Sequence, residues 1–205
     1  ICGGTEHFCA LKTDGTVVCW GRNYEGQCAG KDAAGVAITS PTFEGLSQVV
    51  IGGNVLGNVR KISAGQSHTL ALLHDGSVVA WGSNTLGEGT VPTAALSGVI
   101  DIATGGYHNI ALKSDGTVVC WGQNRYGQCL GYNGTGGRND TPAIATGNIS
   151  PQILGVSLGS GSGVVSVAAT TESSIALKSD GSIVVWGGQF DENNYTGVPA
   201  NLLTP

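Results

Sequence analysis

Six cysteines carry the most evident chemistry of this sequence, because thiols form disulfides or bind zinc. Two pairs flank similar stretches: Cys19 and Cys28 bound CWGRNYEGQC, and Cys120 and Cys129 bound CWGQNRYGQC. In each stretch the two cysteines lie symmetrically about a turn, so they could face each other across a hairpin at disulfide distance. Structural zinc sites favour tight spacings such as C-x2-C, which this sequence lacks. The cysteines therefore predict disulfides and no metal site.

The cysteines occur in pairs when the repeated units of the chain, described below, are aligned. The predicted disulfides join Cys2 with Cys9, Cys19 with Cys28, and Cys120 with Cys129. A bridge from Cys9 to Cys19 across the first hairpin is the main alternative. That alternative would leave Cys2 and Cys28 unpaired. Three local disulfides predict an oxidising compartment, so we expect a secreted or cell-surface protein.

Four N-x-[ST] sequences agree with that compartment, because this pattern accepts N-linked glycans in secreted proteins. Three of them lie in one glycine-rich insertion, and none interrupts a predicted strand. The predicted glycosylation sites are Asn133, Asn139, Asn148 and Asn194.

A segment of fifteen residues, called the cassette below, occurs four times, and the strands that it forms must position the cysteines. It reads HFCALKTDGTVVCWG from His7, HTLALLHDGSVVAWG from His68, HNIALKSDGTVVCWG from His108 and SSIALKSDGSIVVWG from Ser173. An Asp-Gly pair between two apolar runs predicts a β-hairpin closed by a two-residue type I′ turn. The turn residues Asp14, Asp75, Asp115 and Asp180 need no functional explanation, because aspartate before glycine suits a turn. Each second strand ends in a tryptophan: Trp20, Trp81, Trp121 and Trp186.

The segments around each cassette complete a four-stranded unit. A short strand precedes three of the cassettes, in VRKISAG, VIDIATG and VVSVAAT, and a proline-led segment follows two of them, in GTVPTAAL and TGVPANLL. No segment shows a helical apolar period. Four-stranded units repeated around an axis form a β-propeller, in which the repeated tryptophan is a large apolar anchor between neighbouring blades. The sequence therefore predicts an all-β propeller.

The repeated pattern HxxALxxDGxVxxWGxNxxGQ resembles the RCC1 repeat, in four copies that cover nearly the whole chain. The resemblance implies a propeller of RCC1-like blades, usually seven in number, that binds other proteins. About four blades are present here, so we expect a partial propeller, a segment of a larger one, or a propeller completed by another chain; a closed four-bladed ring is the less favoured alternative. We predict a single propeller segment over 1–205, with blades at approximately 1–58, 59–98, 99–163 and 164–205 and inserted loops at 29–58 and 131–163.

The histidines do not indicate catalysis. His7, His68 and His108 share one repeat position, at which the fourth unit has Ser173. Catalysis and metal binding do not need one residue in every blade, and serine could not replace a ligand, so a structural hydrogen-bonding role is predicted. No catalytic triad or carboxylate pair stands out from the repeated structural positions. We therefore expect a protein that is not an enzyme and needs no cofactor or metal.

Composition excludes further classes of partner. With a net charge of -5 and no basic stripe, the chain is not expected to bind nucleic acid. No apolar run is long enough to span a membrane as a helix. The expected partners are other proteins, or a second copy of the chain, bound through the blade ends and the inserted loops.

The sequence thus predicts a non-catalytic extracellular module that binds proteins or builds a larger glycoprotein assembly or fibre. One alternative is a secreted enzyme inhibitor, because VVAWGSNTLGEGTVPTAALSGVIDIATGGYHNIALKSDG looks like the secreted β-lactamase-inhibitory propeller. A further alternative is the guanine-nucleotide exchange role known in the RCC1 family.

Overall fold

The computed structural model describes residues 1–129 and 158–188, without the side chains of residues 40–44. Over that range the protein consists of small antiparallel sheets and one short 3-10 turn, which confirms the prediction of an all-β fold. Each cassette forms two adjacent strands of one sheet, so the four cassettes give four blades of a partial propeller.

The strands follow one order in each blade. The first blade contains β1 (Cys2–Gly3), β2 (His7–Leu11), β3 (Val17–Asn23) and β4 (Ser40–Gln48), and a small hairpin of β5 (Val50–Ile51) and β6 (Asn54–Val55) follows it. The second blade contains β7 (Val59–Ala64), β8 (His68–Leu73) and β9 (Val78–Gly82). The third contains β10 (Val99–Thr104), β11 (His108–Lys113) and β12 (Val118–Gly122), and the fourth contains β13 (Val164–Ala169), β14 (Ser173–Lys178) and β15 (Ile183–Gly187).

The outer strands differ from the prediction. Only the first blade has a fourth strand among the described residues, and β4 lies within the predicted inserted loop 29–58. In the second blade the proline-led segment does not form a strand, since Pro92 precedes a 3-10 turn at Thr93–Ala95. Proline has no N–H to donate to a strand ladder, which explains why the segment leaves the sheet at this point.

The hairpin turns also differ from the predicted two-residue type I′ turns. In the first blade Gly15 N–H donates to Lys12 O at 3.0 Å, and Lys12 N–H donates to Thr16 O at 2.9 Å. Gly15 has a φ of 79°, whereas Asp14 does not adopt positive φ. These features define a type I turn followed by a left-handed glycine, which is a longer hairpin loop. Asp14 favours it, because its Oδ1 accepts the Thr16 N–H at 2.9 Å.

Neighbouring blades share apolar clusters. We call the side of a blade that meets the preceding blade its leading face, and the side that meets the following blade its trailing face. Between the second and third blades, Leu70 and Leu72 on the trailing face pack with Ala111 and Trp121 on the next leading face. All four side chains are almost fully buried, so the junctions hold most of the core.

Main-chain hydrogen bonds link the blades near the propeller axis. Thr5 N–H donates to Gln66 O at 3.2 Å, Gln66 N–H donates to Gly106 O at 2.9 Å, and Gly106 N–H donates to Thr171 O at 3.0 Å. These four residues occupy one repeat position, two residues before the histidine or serine that begins each cassette. The blades are therefore joined at the axis by backbone groups as well as by their apolar faces.

Candidate functional site: the uncovered faces of the first and fourth blades

The three covered junctions define how one blade binds the next. At the first two junctions a loop of the earlier blade presents a main-chain carbonyl to the tryptophan of the later one, and at the third the equivalent carbonyl, Gln128 O, accepts from Ser174 instead. Trp81 Nε1–H donates to Gln27 O at 3.0 Å, and Trp121 Nε1–H donates to Glu88 O at 3.1 Å. The loop that carries Gln27 is fixed by Asn23, whose Oδ1 accepts the Cys28 N–H at 2.9 Å. This arrangement explains the spacing of the WGxNxxGQ pattern.

A second set of hydrogen bonds crosses each junction from a buried ring on the trailing face. The Nε2 atom of this ring bonds the side chain that follows the equivalent ring position in the next blade. The pairs are His7 with Thr69 Oγ1 at 2.8 Å, His68 with Asn109 Oδ1 at 2.7 Å, and His108 with Ser174 Oγ at 3.0 Å.

The hydrogen-bond partners of the histidines determine which ring nitrogen carries the proton. Asn109 Nδ2 donates to Glu88 O at 2.8 Å, so its Oδ1 accepts from His68 Nε2–H. Ser174 likewise donates to Gln128 O at 2.7 Å and accepts from His108. Burial lowers the pKa of His7 to about 4 and that of His108 to about 3, because desolvation disfavours the imidazolium; the neighbouring His68 adds a smaller effect of the same sign. The rings are therefore neutral at physiological pH.

A glycine three residues earlier makes room for each histidine. A Cβ at Gly105 would lie 2.0 Å from Cε1 of His108, and Gly4 and Gly65 stand in the same relation to the other two rings. The fourth cassette begins with Ser173 and has Thr170 at the glycine position. The glycine therefore makes room both for the imidazole ring and for a main-chain carbonyl of the next blade, such as Gly105 O at 2.6 Å from a Cβ at Gly65. The pairing of this glycine with the histidine three residues later is visible in the aligned repeats, but only the histidine was assigned a role from the sequence.

The leading face of the first blade is exposed. Its tryptophan, Trp20, is 36% exposed, whereas Trp81 and Trp121 are at most 1% exposed. Phe8, which is 50% exposed, stacks on Trp20 with 5.8 Å between the ring centroids. Contiguous exposed aromatic surface of this kind marks an interaction site.

Phe8 also departs from the chemistry of the covered junctions. Its repeat position holds Thr69, Asn109 and Ser174 in the other blades, all of which share a hydrogen bond with a histidine. A phenyl ring cannot accept such a bond in the same way, so this face does not fit a blade that presents a histidine. It fits an apolar or small side chain.

The trailing face of the fourth blade is the second surface that no blade covers among the described residues. Leu177 is 38% exposed, whereas the equivalent residues Leu72 and Leu112 are at most 1% exposed. Ile175 and Ile183 on the same face are half-buried. This face presents Ser173 at the repeat position where the other three trailing faces present histidine.

Charged and aromatic groups border the leading face of the first blade. The Arg22 guanidinium pairs with the Glu6 carboxylate and lies 4.6 Å from the centroid of the Tyr24 ring. The ion pair with Glu6 raises the pKa of Arg22. Arg22 is therefore held beside the aromatic pair at the rim of the face, where a polar contact to a partner is available.

A cavity of about 380 Å³ opens near the axis, and in all four blades the end of the first strand and the turn after it line the cavity. Its walls are small residues such as Gly3, Ala64, Thr104 and Ala169. This lining contains no histidine, cysteine or charged side chain, and it offers chiefly backbone and hydroxyl groups. The cavity therefore provides space but no arrangement for acid, base or nucleophilic chemistry.

The cysteines of the first blade are joined as in the alternative connectivity instead of the predicted one. Cys9 and Cys19 lie opposite each other in the register of β2 and β3, with 4.1 Å between their Cα atoms, and they form a disulfide. Cys2 and Cys28 are free thiols. The predicted bonds from Cys2 to Cys9 and from Cys19 to Cys28 are absent here, because a sulfur in one disulfide cannot form another.

Cys120 and Cys129 are also free thiols, yet their sulfurs lie 2.6 Å apart inside the third junction. The predicted disulfide between them stays a prediction. Burial raises the pKa of Cys129 well above its ordinary value.

The remaining predicted residues lie in hairpin turns, at a junction between blades, or outside the described residues. Asp14, Asp75, Asp115 and Asp180 lie in the exposed hairpin turns, and in each turn the aspartate Oδ1 accepts a main-chain N–H at 2.8 to 2.9 Å. Trp186, like Trp81 and Trp121, is buried at a junction. The sites Asn133, Asn139, Asn148 and Asn194 lie outside the described residues, as does most of the predicted inserted loop 131–163.

Residues 1–129 and 158–188 contain neither a metal-binding cluster nor a membrane-spanning helix. No group of three or more histidine, cysteine, aspartate or glutamate side chains in those ranges is arranged to hold a metal ion. The same ranges contain no helix long and apolar enough to cross a membrane.

Known proteins share this repeat. The family described as "Regulator of chromosome condensation (RCC1) repeat" matches residues 1–27, 59–88 and 99–128. Over 96 residues the chain is 35% identical to Protein pim1 of Schizosaccharomyces pombe, a match that covers 45% of this chain and 16% of pim1.

Two solved structures share the fold. Human WBSCR16 is 22% identical with a TM-score of 0.66, over 90% of this chain and 45% of WBSCR16. Prp20p from Saccharomyces cerevisiae is 23% identical with a TM-score of 0.55, over 89% of this chain and 42% of Prp20p. The chain therefore spans less than half the length of each of these proteins.

Proposed function

The chain belongs to the RCC1-repeat family, and on that basis we propose that it is a non-catalytic protein-binding module that assembles head to tail with a second copy of itself. In this assembly the leading face of the first blade binds the trailing face of the fourth blade in the next copy. The crystal structure of Prp20p was described with the binding of that protein to Gsp1p and histones, so protein binding occurs in at least one propeller of this fold.

The observation that carries the proposal is the matched exchange of two residues between the uncovered faces. The covered junctions pair a histidine with threonine, asparagine or serine. The fourth blade replaces the histidine by the smaller Ser173, and the first blade replaces the polar partner by the larger Phe8. The phenyl ring of one copy thus takes the space that an imidazole occupies at the other junctions.

The remaining contacts of the assembly follow from the same comparison. Trp20 takes the junction position of Trp81, and Leu177 takes that of Leu72. Both side chains are partly exposed in the isolated chain and become buried when the faces meet, which supplies an apolar driving force. Because the two faces are different surfaces, the contact is heterologous and generates a ring or an open fibre.

Sedimentation velocity over a range of protein concentrations tests the assembly. We expect wild-type protein to form larger species as its concentration increases, and the Trp20→Ser variant to stay monomeric at concentrations where wild type is mostly assembled. Leu96→Ser is the matched control, since Leu96 is 50% exposed but belongs to neither face. A strictly monomeric wild-type protein would overturn the proposal of a second copy.

A compensating pair of changes tests the specific contact. The variant Thr170→Gly/Ser173→His restores the histidine and the glycine that its ring needs, so we expect weaker assembly because the imidazole meets Phe8. Adding Phe8→Thr recreates the side-chain pair of His7 and Thr69, so assembly should recover. If Phe8→Thr weakens assembly equally in both backgrounds, Phe8 does not face Ser173.

We also propose that the module works outside the cell. The Cys9–Cys19 disulfide and the four predicted glycosylation sites support this location. Peptide mass spectrometry of protein from its native source is the test. Glycans on Asn133, Asn139, Asn148 or Asn194 are expected, whereas unmodified asparagines together with six free thiols would contradict an extracellular location.

A further inference from the structure

Four cysteines of the first blade form a row in which one disulfide has a free thiol at each end. Cys2 is the register partner of Cys9 in strands β1 and β2, and Cys9 is the register partner of Cys19 in β2 and β3. Register partners on adjacent strands project to the same side of a sheet. Cys28 belongs to the same buried cluster as Cys9 and Cys19, and Cys2 packs against it.

The third blade shows how close the last two members of this row can come. Cys120 and Cys129 occupy the repeat positions of Cys19 and Cys28, and their sulfurs are 2.6 Å apart. The loops are anchored alike, since Asn124 Oδ1 accepts the Cys129 N–H at 2.9 Å and Asn23 Oδ1 accepts the Cys28 N–H at 2.9 Å. The backbone of the first blade therefore places Cys28 within reach of Cys19.

The difference between the two blades lies in the partner of the first thiol, since Cys19 is bonded to Cys9 whereas Cys120 contacts Cys129. The last thiol makes the same hydrogen bond in both blades. The Cys28 thiol donates to Arg22 O at 3.2 Å, and the Cys129 thiol donates to Gln123 O at 3.6 Å. Cys28 thus has a resting hydrogen bond that it must leave in order to react.

We propose that this row is an internal thiol–disulfide exchange site, in which Cys28 attacks the Cys9–Cys19 disulfide and Cys2 completes the reaction with an external disulfide. The Cys28 sulfur loses its proton to solvent and forms a bond to the Cys19 sulfur. The Cys9–Cys19 bond breaks, its electron pair leaves with the Cys9 sulfur, and that thiolate takes up a proton from solvent. This step exchanges one disulfide for another without net oxidation.

The second step needs an oxidant of the small-molecule disulfide class, such as oxidised glutathione. Cys2 is only partly buried, whereas the other three sulfurs are buried, so Cys2 is the member that the oxidant reaches. Cys2 attacks the external disulfide and releases one thiol. The Cys9 thiolate then displaces the second thiol and bonds to Cys2. Two cysteine thiols are oxidised, and one external disulfide is reduced to two thiols.

The exchange changes which parts of the first blade are cross-linked. Cys9–Cys19 joins the two strands of the central hairpin, whereas Cys19–Cys28 joins β3 to the loop that follows it. That loop carries Gln27, whose carbonyl accepts the Trp81 Nε1–H at 3.0 Å. The site therefore links the redox state of the surroundings to the junction between the first and second blades.

Tryptic mapping of the intact protein tests the exchange, because cleavage after Lys12, Arg22 and Lys31 places Cys19 and Cys28 on different peptides from each other and from the pair of Cys2 and Cys9. Protein is equilibrated with increasing oxidised glutathione, and its free thiols are alkylated before digestion. Without added oxidised glutathione we expect peptide 1–12 linked to peptide 13–22. Under oxidising conditions we expect peptide 13–22 linked to peptide 23–31, and an internal disulfide within peptide 1–12.

Two variants and one internal control make the outcome decisive. Cys28→Ser should retain the Cys9–Cys19 bond at every glutathione ratio, and Cys2→Ser should retain a free or glutathione-capped Cys9 after the exchange. The Cys120–Cys129 pair has no competing cysteine, so its oxidation shows that the oxidant has reached the protein core. If Cys120–Cys129 forms while wild-type Cys9–Cys19 remains unchanged, the exchange site does not exist.

Discussion

Gly65 lies against the imidazole of His68, so closely that a Cβ at position 65 would stand 2.2 Å from Cε1 of the ring and 2.6 Å from Gly105 O. The ring is in turn held by Asn109 across the junction, at 2.7 Å from Nε2 to Oδ1. A glycine, an imidazole and a residue of the next blade thus form one unit. The unit recurs wherever a blade is covered by a following blade that offers a polar partner.

Gly65→Ala is expected to destabilise the protein by about 1–3 kcal/mol, because the added methyl group overlaps a ring that cannot move without losing its hydrogen bond. The midpoint of urea unfolding measures the loss. Gly57→Ala is the control, since a Cβ there meets no atom within 4 Å. The double variant Gly65→Ala/His68→Ser imitates Thr170 and Ser173 and should recover part of the loss. Equal destabilisation by Gly57→Ala would refute this account.

The free energy of unfolding is expected to fall as the pH falls below about 6.5. In the unfolded chain each histidine binds a proton near its ordinary pKa, whereas in the fold the pKa of His7 is lowered to about 4 and that of His108 to about 3. The unfolded state therefore binds more protons between these values, so stability increases with pH across the window and is lost as the pH decreases toward 3.

Urea unfolding at a series of pH values from 7.5 to 4.5 measures this dependence. Carboxylates also titrate at acid pH, so the slope is compared with that of a His108→Gln variant, which should be flatter. His74→Gln is the matched control, because His74 lies in an exposed turn and should leave the slope unchanged. A wild-type unfolding midpoint that stays constant from pH 7 to 5 would show that the buried histidines do not set the acid stability.

Glu88→Gln should change the free energy of unfolding by less than about 1 kcal/mol, although Glu88 is fully buried. Its Oε2 accepts the Leu86 N–H at 2.7 Å, as Gln27 Oε1 accepts the Glu25 N–H at 2.8 Å at the equivalent position. The Ser83 hydroxyl, which now donates to Oε1, can accept from the glutamine amide instead.

Glu88→Ala is the variant with which Glu88→Gln is compared. It leaves the Leu86 N–H without its partner inside the junction, so we expect a loss of about 1–3 kcal/mol in thermal or urea unfolding. If the glutamine and alanine variants are equally destabilised, the carboxylate itself is required at this position.

Trp81→Phe should destabilise the protein more than Trp186→Phe, because the two buried indoles differ in their hydrogen bonds. Trp81 Nε1–H donates to Gln27 O, whereas Trp186 Nε1 has no hydrogen-bond partner within residues 1–129 and 158–188, and Gln128 O accepts from Ser174. Both substitutions remove similar volume, so the difference in the free energy of unfolding, about 1 kcal/mol, reports the hydrogen bond. Equal losses would mean that packing alone determines the contribution of both residues.

The repeat made the fold predictable from the sequence, but it could not decide features that depend on register and on contacts between blades. Spacing placed Cys19 and Cys28 on either side of a turn, and the third blade brings Cys120 and Cys129 together as that argument requires. Register places Cys9 opposite Cys19 as well. A spacing argument cannot choose between two partners that are both within reach.

The turns and the uncovered faces show the same limit. Asp14 before Gly15 correctly indicated a hairpin, but the Thr16 N–H that binds the aspartate decided the turn type. Phe8 reads as an ordinary strand residue, and only its alignment with Thr69, Asn109 and Ser174, together with their contacts to histidines, shows that it departs from the junction chemistry. The role of Phe8 depends on contacts with a neighbouring blade, and the local sequence does not show those contacts.

The hydrogen bonds that circle the axis run entirely between main-chain atoms, from Thr5 through Gln66 and Gly106 to Thr171. The side chains at these positions include two hydroxyls, an amide and no side chain at all. Substitution of Thr5, Gln66 or Thr171 can therefore alter the chemistry of the axial opening while the main-chain links between the blades remain. Gly106 is the exception, because a Cβ there would lie 2.9 Å from Thr171 O. The opening can thus gain or lose ligand-binding groups at three positions without loosening the propeller.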